Sequence, residues 1–252
     1  LTSEQPLILR GLVSNWPIVR AATEGPRAVL NRIREYYRDK PVSLFLGAPE
    51  IKGRFFYNED LTGFNFLQMD ANLGDVFDKL IEYEHREQPP TFYVGSTAID
   101  AWLGGFRADN DIDLKAYSPL TSIWIGNRSR VAAHFDSPDN IACCVLGRRR
   151  FTVFPPEQLP NLYVGPQDLT PAGQQISLVD FADPDLEKYP KFSQALAAAQ
   201  VAELDPGDAL FLPGMWWHHV EALDSVNVLV NYWWNTAPAY MGSPADALTH
   251  AM

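Results

Sequence analysis

His134 and Asp136 are the two residues whose types and spacing first suggest metal chemistry in this sequence. In a β-strand, residues i and i+2 point to the same face, so both side chains can reach one point. An imidazole nitrogen and a carboxylate oxygen suit Fe(II), Mn(II) or Zn(II). A His-x-Asp triplet alone is a weak signal, because a chain with five histidines can contain one by chance.

The sequence offers a further imidazole ligand at His218 or His219, which follow a short apolar run, a Pro213-Gly214 turn and a tryptophan pair. Two histidines and one carboxylate form a facial triad that leaves coordination positions open, as non-haem Fe(II) oxygenases require. Neighbouring residues of a strand point to opposite faces, so only one of the two histidines can join the triad.

The bulk composition predicts one globular β domain with helical additions, since 46% of the 252 residues are apolar and 20% are charged. The net charge of -11 argues against a general nucleic-acid binder. Cys143 and Cys144 are neighbours, which predicts reduced core residues of an intracellular protein, and we expect the cytoplasm. No apolar run is long enough to predict a membrane span, and no signal peptide is evident.

Short apolar runs separated by turn residues begin near residue 122 and predict a barrel or sandwich rather than βαβ units. The predicted strands there are residues 122–125, 131–135, 141–146, 151–154, 209–212, 216–222 and 226–234. Before them, we predict strands at residues 6–13, 41–46 and 92–94, and amphipathic helices at 28–37 and 74–87.

These patterns predict a single domain over residues 1–252. Its parts are strands and helices that buttress the barrel (1–120), a barrel core (121–236) with an insertion at 155–199, and the start of a C-terminal helical segment (237–252). The insertion is proline-rich and ends in a short helical stretch near residues 192–199.

Four strings carry a resemblance to the JmjC-type cupin-like Fe(II)/2-oxoglutarate-dependent oxygenases, a family that includes the asparaginyl hydroxylase of hypoxia-inducible factor. They are AHFDSPDN (133–140), GRRRFTVFPPEQ (147–158), DPGDALFLPGMWWHHVEAL (205–223) and VNVLVNYWW (226–234). The opening PLILRGLVSNWP (6–17) also resembles the start of that branch. The resemblance implies a mainly β double-stranded β-helix (cupin or jelly-roll) barrel with an N-terminal α/β extension. It also implies His134, Asp136 and His218 as the catalytic metal ligands, with His219 facing away.

The same resemblance implies a 2-oxoglutarate pocket formed by Tyr93, Asn140, Arg149 and Asn231. Arg149 stands where much of the family has lysine, and Val131 stands where the asparaginyl hydroxylase has threonine. Plainer interpretations exist: Tyr93 as core, Asn140 as a turn cap, and Arg149 as solvated charge within residues 148–150.

The implied activity is hydroxylation of a C–H bond with Fe(II), 2-oxoglutarate and O2, on a protein side chain or a small molecule. One alternative is a metal-binding cupin that acts as a sensor or as a non-oxygenase enzyme. The other is a degenerate cupin used for interaction, against which the intact triad argues. The family also implies a homodimer through C-terminal helices.

Overall fold

The computed structural model describes residues 3–235, which form thirteen β-strands and six α-helices. The strands are β1 (Leu7–Leu9), β2 (Val42–Gly47), β3 (Arg54–Phe55), β4 (Phe66–Ala71), β5 (Thr91–Ala98), β6 (Leu120–Gly126), β7 (Ser129–Phe135), β8 (Asp139–Leu146), β9 (Arg149–Phe154), β10 (Gln200–Leu204), β11 (Ala209–Leu212), β12 (Trp217–Ala222) and β13 (Asn227–Trp234). The helices are α1 (Pro17–Ala21), α2 (Pro26–Tyr36), α3 (Leu73–Glu82), α4 (Ile99–Trp102), α5 (Phe106–Asp109) and α6 (Phe192–Ala198).

Strands β6 to β13 are divided equally between two sheets. The large sheet has the order β1-β11-β8-β13-β6-β5-β2-β4, and the small sheet has the order β10-β9-β12-β7-β3. This alternation is that of a jelly roll, so the predicted mainly β double-stranded β-helix is confirmed. Within residues 3–235, no strand pairing joins the two sheets, which face each other instead of closing into a hydrogen-bonded barrel.

Strand β8 shows why the large sheet is apolar on both faces. Ile141, Cys143 and Val145 pack in a core with helices α1 to α3, while Ala142 and Cys144 pack in a second core between the sheets. Successive side chains of a strand alternate in this way. Both cysteines are therefore buried, on opposite faces, and neither forms a disulfide.

The insertion (residues 155–199) lies between β9 and β10 and covers the outer face of the small sheet. Its apolar residues Leu162, Val179 and Phe192 share a core with Ala133 of β7, Phe154 of β9 and Trp217 of β12. Helix α6 belongs to this layer through Phe192 and Ala195. The small sheet is thus also buried on both sides.

Several elements differ from the predicted ones. Strands β4 and β10 were not predicted, because they lie at sheet edges with mostly exposed residues and lack an apolar run. Strand β1 has three residues, α3 ends at Glu82, and α1 (Pro17–Ala21) occupies a segment for which no helix was predicted.

Two predictions, the C-terminal helical segment and the domain boundaries, are not tested by the described residues. Residues 237–252, predicted to begin a helical segment and to mediate dimerisation, lie outside the described residues. The domain boundaries stay a prediction. Among residues 3–235, no helix is long and apolar enough to cross a membrane.

Gly147, in the turn that joins β8 to β9, has a φ of 70°. A Cβ added there would lie 2.7 Å from the Val226 carbonyl oxygen and closer still to Asn227 Oδ1. We expect Gly147→Ala to lower the free energy of unfolding by about 3 kcal/mol, through backbone strain plus displacement of the chain at Val226 and Asn227.

Gly105→Ala is the matched control, since the φ of Gly105 is 90° and the nearest atom to an added Cβ is Tyr36 Cδ1 at 3.9 Å. Strain alone should cost it about 1 kcal/mol. Urea unfolding measures both losses, and equal losses would contradict the steric explanation.

Candidate metal centre and adjoining cavity

The pairing of β7 with β12 creates the candidate metal site. In this antiparallel ladder His134 lies directly opposite His218, and residues directly opposite each other share a face. Asp136 follows the end of β7, and its Oδ2 lies 3.8 Å from His218 Nε2. One ligand atom from each of the three residues lies within 4.8 Å of the others. The structure thus brings the three predicted ligands together.

Backbone carbonyls fix which nitrogen of each imidazole is available. His134 Nδ1 lies 2.9 Å from the Ala132 carbonyl oxygen, and His218 Nδ1 lies 3.0 Å from that of Trp216. A carbonyl oxygen can only accept, so each Nδ1 donates its proton to the carbonyl and each Nε2 is the nitrogen directed toward the site. Burial, and then the neighbouring His134, lower the pKa of His218 to about 4, so this imidazole is neutral at neutral pH. Two imidazoles that offer Nε2 and one carboxylate fit a divalent transition metal.

The Asp136 carboxylate accepts one N–H donor on each oxygen. Gln174 Nε2 lies 3.3 Å from Oδ1, and Trp233 Nε1 lies 3.2 Å from Oδ2. Neither residue was predicted for the site. The sequence could have indicated Trp233, because it lies two residues after Asn231 on β13 and therefore shares the face of that predicted site residue. Gln174 lies in the insertion, where no local pattern indicated its role.

His219 points away from the triad. It lies at a register shift in the β7–β12 pairing, and its ring lies 4.6 Å from that of Phe181 in the insertion. Burial, and then the charge of Arg130, lower its pKa to about 4. His219 is therefore a buried neutral residue of the outer layer.

A cavity of about 400 Å³ adjoins the triad. All four residues predicted for the co-substrate, Tyr93, Asn140, Arg149 and Asn231, line it. Much of the remaining wall is aromatic and includes Phe45, Phe55, Phe151, Trp124 and Trp233. The cavity therefore has an apolar wall with a few converging polar groups, which is typical of small-molecule sites.

The charge of Arg149 is buried, whereas those of the adjacent Arg148 and Arg150 lie at the surface. Arg148 pairs with Asp224, and Arg150 pairs with Glu203, both at the surface. Arg149 alternates to the inner face, is 3% exposed, and forms no ion pair with the described residues. Its Nε has no hydrogen-bond partner among them, and burial lowers its pKa. A buried guanidinium without a counter-charge is costly, so this position favours binding of an anion.

The amides of Asn140 and Asn231 form a buried pair on the cavity wall. Asn231 Nδ2 donates to Asn140 Oδ1 at 2.6 Å, and Asn231 Oδ1 has no partner among the described residues. Tyr93 is buried and lines the same cavity, and burial raises the pKa of its phenol, so it stays protonated at neutral pH. Val131 also lines the cavity, where it offers no hydroxyl.

The cupin-like domain model matches residues 1–240. The chain belongs to the cupin-like domain family. The predicted resemblance to this family is thereby confirmed, and it covers nearly the whole chain.

Curated relatives of this cupin-like domain include lysine-specific demethylase JMJ31 of Arabidopsis thaliana, 32% identical over 126 residues, which are 50% of this chain and 22% of that protein. Lysine-specific demethylase 8 of Xenopus tropicalis is 26% identical over 243 residues, which are 93% of this chain and 49% of that protein. The chain thus spans half or less of these relatives. Among solved structures, ycfD of E. coli matches with a TM-score of 0.51 and 15% identity, over 98% of this chain and 55% of that one, and shares the fold.

The opposite directions of the two neighbouring histidines can be tested by metal binding. We expect His218→Ala to weaken anaerobic Co(II) binding by more than about 100-fold, beyond the usual effect of residues outside the ligand set. His219→Ala should bind Co(II) as the unaltered cupin-like domain does, although it loses packing against Phe181. Isothermal titration calorimetry measures both affinities. The reverse order would place the ligand at His219.

The two buried histidines also predict how the metal-free protein responds to acid. The pKa of His218 and of His219 is 6.5 in the unfolded chain and about 4 in the folded one. The unfolded chain therefore binds more protons between these values, and the free energy of unfolding should fall as the pH falls from about 6.5 toward 4. His219→Phe removes one of the two groups and should make this fall shallower. Chemical unfolding between pH 7 and 5, with a chelator present, measures the free energy of unfolding of both proteins. Identical slopes against pH for the unaltered protein and His219→Phe would contradict this prediction.

Proposed function

We propose that this cupin-like domain is an Fe(II)- and 2-oxoglutarate-dependent oxygenase that hydroxylates a C–H bond. The single observation that carries the proposal is the buried Arg149, which has no ion-pair partner in the part of the chain that the structure describes and lies on the wall of the cavity that also contains the His134, Asp136 and His218 cluster. A metal site alone would suit many cupins. A metal site with a buried cation in the same cavity suits a co-substrate that has a chelating end and a distant carboxylate.

The donor set supports Fe(II) as the resident metal. His134 Nε2, His218 Nε2 and one Asp136 oxygen would hold it, leaving coordination positions for 2-oxoglutarate and O2. Fe(II) bound there supplies the activation of O2 that no protein side chain can provide. The protein's part is to present two imidazole nitrogens, hold the carboxylate and keep the cavity wall apolar.

We assign the distal carboxylate of 2-oxoglutarate to Arg149 and Tyr93. A guanidinium can bind a carboxylate through two parallel N–H donors, and a protonated phenol adds a third donor. Arginine is longer and more rigidly planar than lysine, so the co-substrate would sit differently than in relatives with lysine. Asn140 and Asn231 would face its chelating end, because both line the cavity that contains the cluster and are hydrogen-bonded to each other there.

The prime substrate is proposed as a protein side chain or a small molecule. The names of JMJ31 and demethylase 8 refer to lysine, which supports a protein side chain for those two proteins and, by extension, as a candidate here. The net charge of -11 favours a basic or neutral partner and weighs against nucleic acid.

The first test is succinate formation. We expect the Fe(II)-loaded protein to convert 2-oxoglutarate to succinate slowly without a prime substrate, and His134→Ala or Asp136→Ala to abolish this. Full turnover by Asp136→Ala would overturn the proposal. A metal-binding cupin that is not an oxygenase would bind Fe(II) and form no succinate with any peptide or metabolite screened.

The second test is the pair Arg149→Met and Arg150→Met. Loss of a charge-assisted hydrogen bond of about 1.5–3 kcal/mol should raise the half-saturating 2-oxoglutarate concentration by about 10- to 100-fold in Arg149→Met. The half-saturating concentration of Arg149→Lys should lie between those of the unaltered protein and Arg149→Met, because lysine keeps the charge but loses the two parallel N–H donors of the guanidinium. Arg150→Met is the control, since Arg150 is only partly buried, lies outside the cavity lining and pairs with Glu203 at the surface. Equal effects of the two Met variants would exclude the assigned role of Arg149.

A further inference from the structure

We propose that one loop of the insertion, the cavity loop (residues 165–176), positions the metal-binding carboxylate. Its residue Gln174 acts with Trp233 to hold the Asp136 carboxylate in a single orientation. This inference rests on the metal site of the proposed function, but not on 2-oxoglutarate. Gln174 and Trp233 are positioning residues here, because they act through Asp136.

The cavity loop is fixed at its base to the strand that carries the ligands. Ser177 N donates to the Ala133 carbonyl oxygen at 2.8 Å, next to His134. Val164 pairs with Ser177, and Gly165 N donates to the Ile176 carbonyl oxygen at 2.8 Å, which closes the loop. The two ends of the loop are thus tied to each other and to β7.

Further contacts hold the loop and the chain that follows it. The buried Tyr57 hydroxyl donates to the Leu169 carbonyl oxygen at 2.7 Å. Asp180 pairs with Arg130 of β7 at 3.0 Å and with Arg54 of β3 at 3.5 Å. Gln174 is therefore carried by a segment that is anchored both within the loop and in the chain that follows it.

The two donors reach Asp136 from separate parts of the chain. Gln174 Nε2 binds Oδ1 from the cavity loop, and Trp233 Nε1 binds Oδ2 from β13. One donor on each oxygen fixes the rotation of the carboxylate about its Cβ–Cγ bond, which a single donor would leave freer. A carboxylate held in this way presents its oxygens in the same orientation each time a metal binds.

The test compares two adjacent glutamines. Gln175 lies beside Gln174, but its amide donates to the Gly165 carbonyl oxygen at 2.8 Å, inside the loop itself. We expect Gln174→Leu to weaken anaerobic Co(II) binding by about tenfold, the lower end of the effect of residues that orient metal ligands. The visible spectrum of the Co(II) protein should also change, because the carboxylate is free to rotate. Gln175→Leu should match the unaltered protein in both readouts.

Further variants separate positioning from folding. Gln174→Asn keeps the amide but is one methylene shorter, so it should also lose the contact and weaken Co(II) binding. Trp233→Phe keeps the aromatic wall and removes the donor to Oδ2, and should change the Co(II) spectrum as well. Thermal unfolding of each metal-free variant shows whether the fold is kept.

Each outcome decides the proposal. Unchanged Co(II) affinity and spectrum in Gln174→Leu, or equal losses in Gln174→Leu and Gln175→Leu, would overturn it, the second by indicating general damage to the loop. Absence of Co(II) binding by the unaltered protein would overturn it together with the metal site. If the variants change Co(II) affinity and spectrum as expected but the protein forms no succinate, this positioning role is upheld and only the proposed oxygenase activity is refuted.

Discussion

The pairing of His134 with His218 across β7 and β12 is the constraint on which the rest of the site depends. Direct opposition in an antiparallel ladder places both imidazoles on one face, and the i+2 spacing of Asp136 brings the carboxylate to them. A shift of one residue in this register would turn His219 toward the cavity and His218 toward the insertion. The neighbouring pair Trp217 and Phe135 opposes such a shift, since its rings pack 5.1 Å apart in the outer core.

Alternation along strands explains why so much of the site was predictable from sequence. It separated His218 from His219, and it places Arg149 inward between two arginines that form ion pairs at the surface. What escaped prediction lacks periodicity or depends on distant contacts. Strands β4 and β10 are exposed edges without an apolar run. Gln174 reaches Asp136 from a loop 38 residues away in sequence, and no local pattern encodes such a contact.

The cavity wall concentrates groups that a purely structural core would avoid. Among the residues that the structure describes, the Arg149 guanidinium has no counter-charge and the Asn231 amide oxygen has no donor, and both deficits destabilise the folded chain. The rest of the interior offsets them: the large sheet is apolar on both faces, and Arg148 and Arg150 pair at the surface. A bound dianion would satisfy the guanidinium, so ligand binding and stability of the fold should be linked.

The insertion joins the outer layer of the molecule to the chemistry of the site. On one side it buries the outer face of the small sheet through Leu162, Val179 and Phe192. On the other it supplies part of the cavity wall and a donor to Asp136. Because the same segment does both, a change in its packing would alter the orientation of a metal ligand without touching the β7–β12 ladder. Strand pairing therefore fixes which atoms can meet a metal, and the insertion determines how one of them is presented.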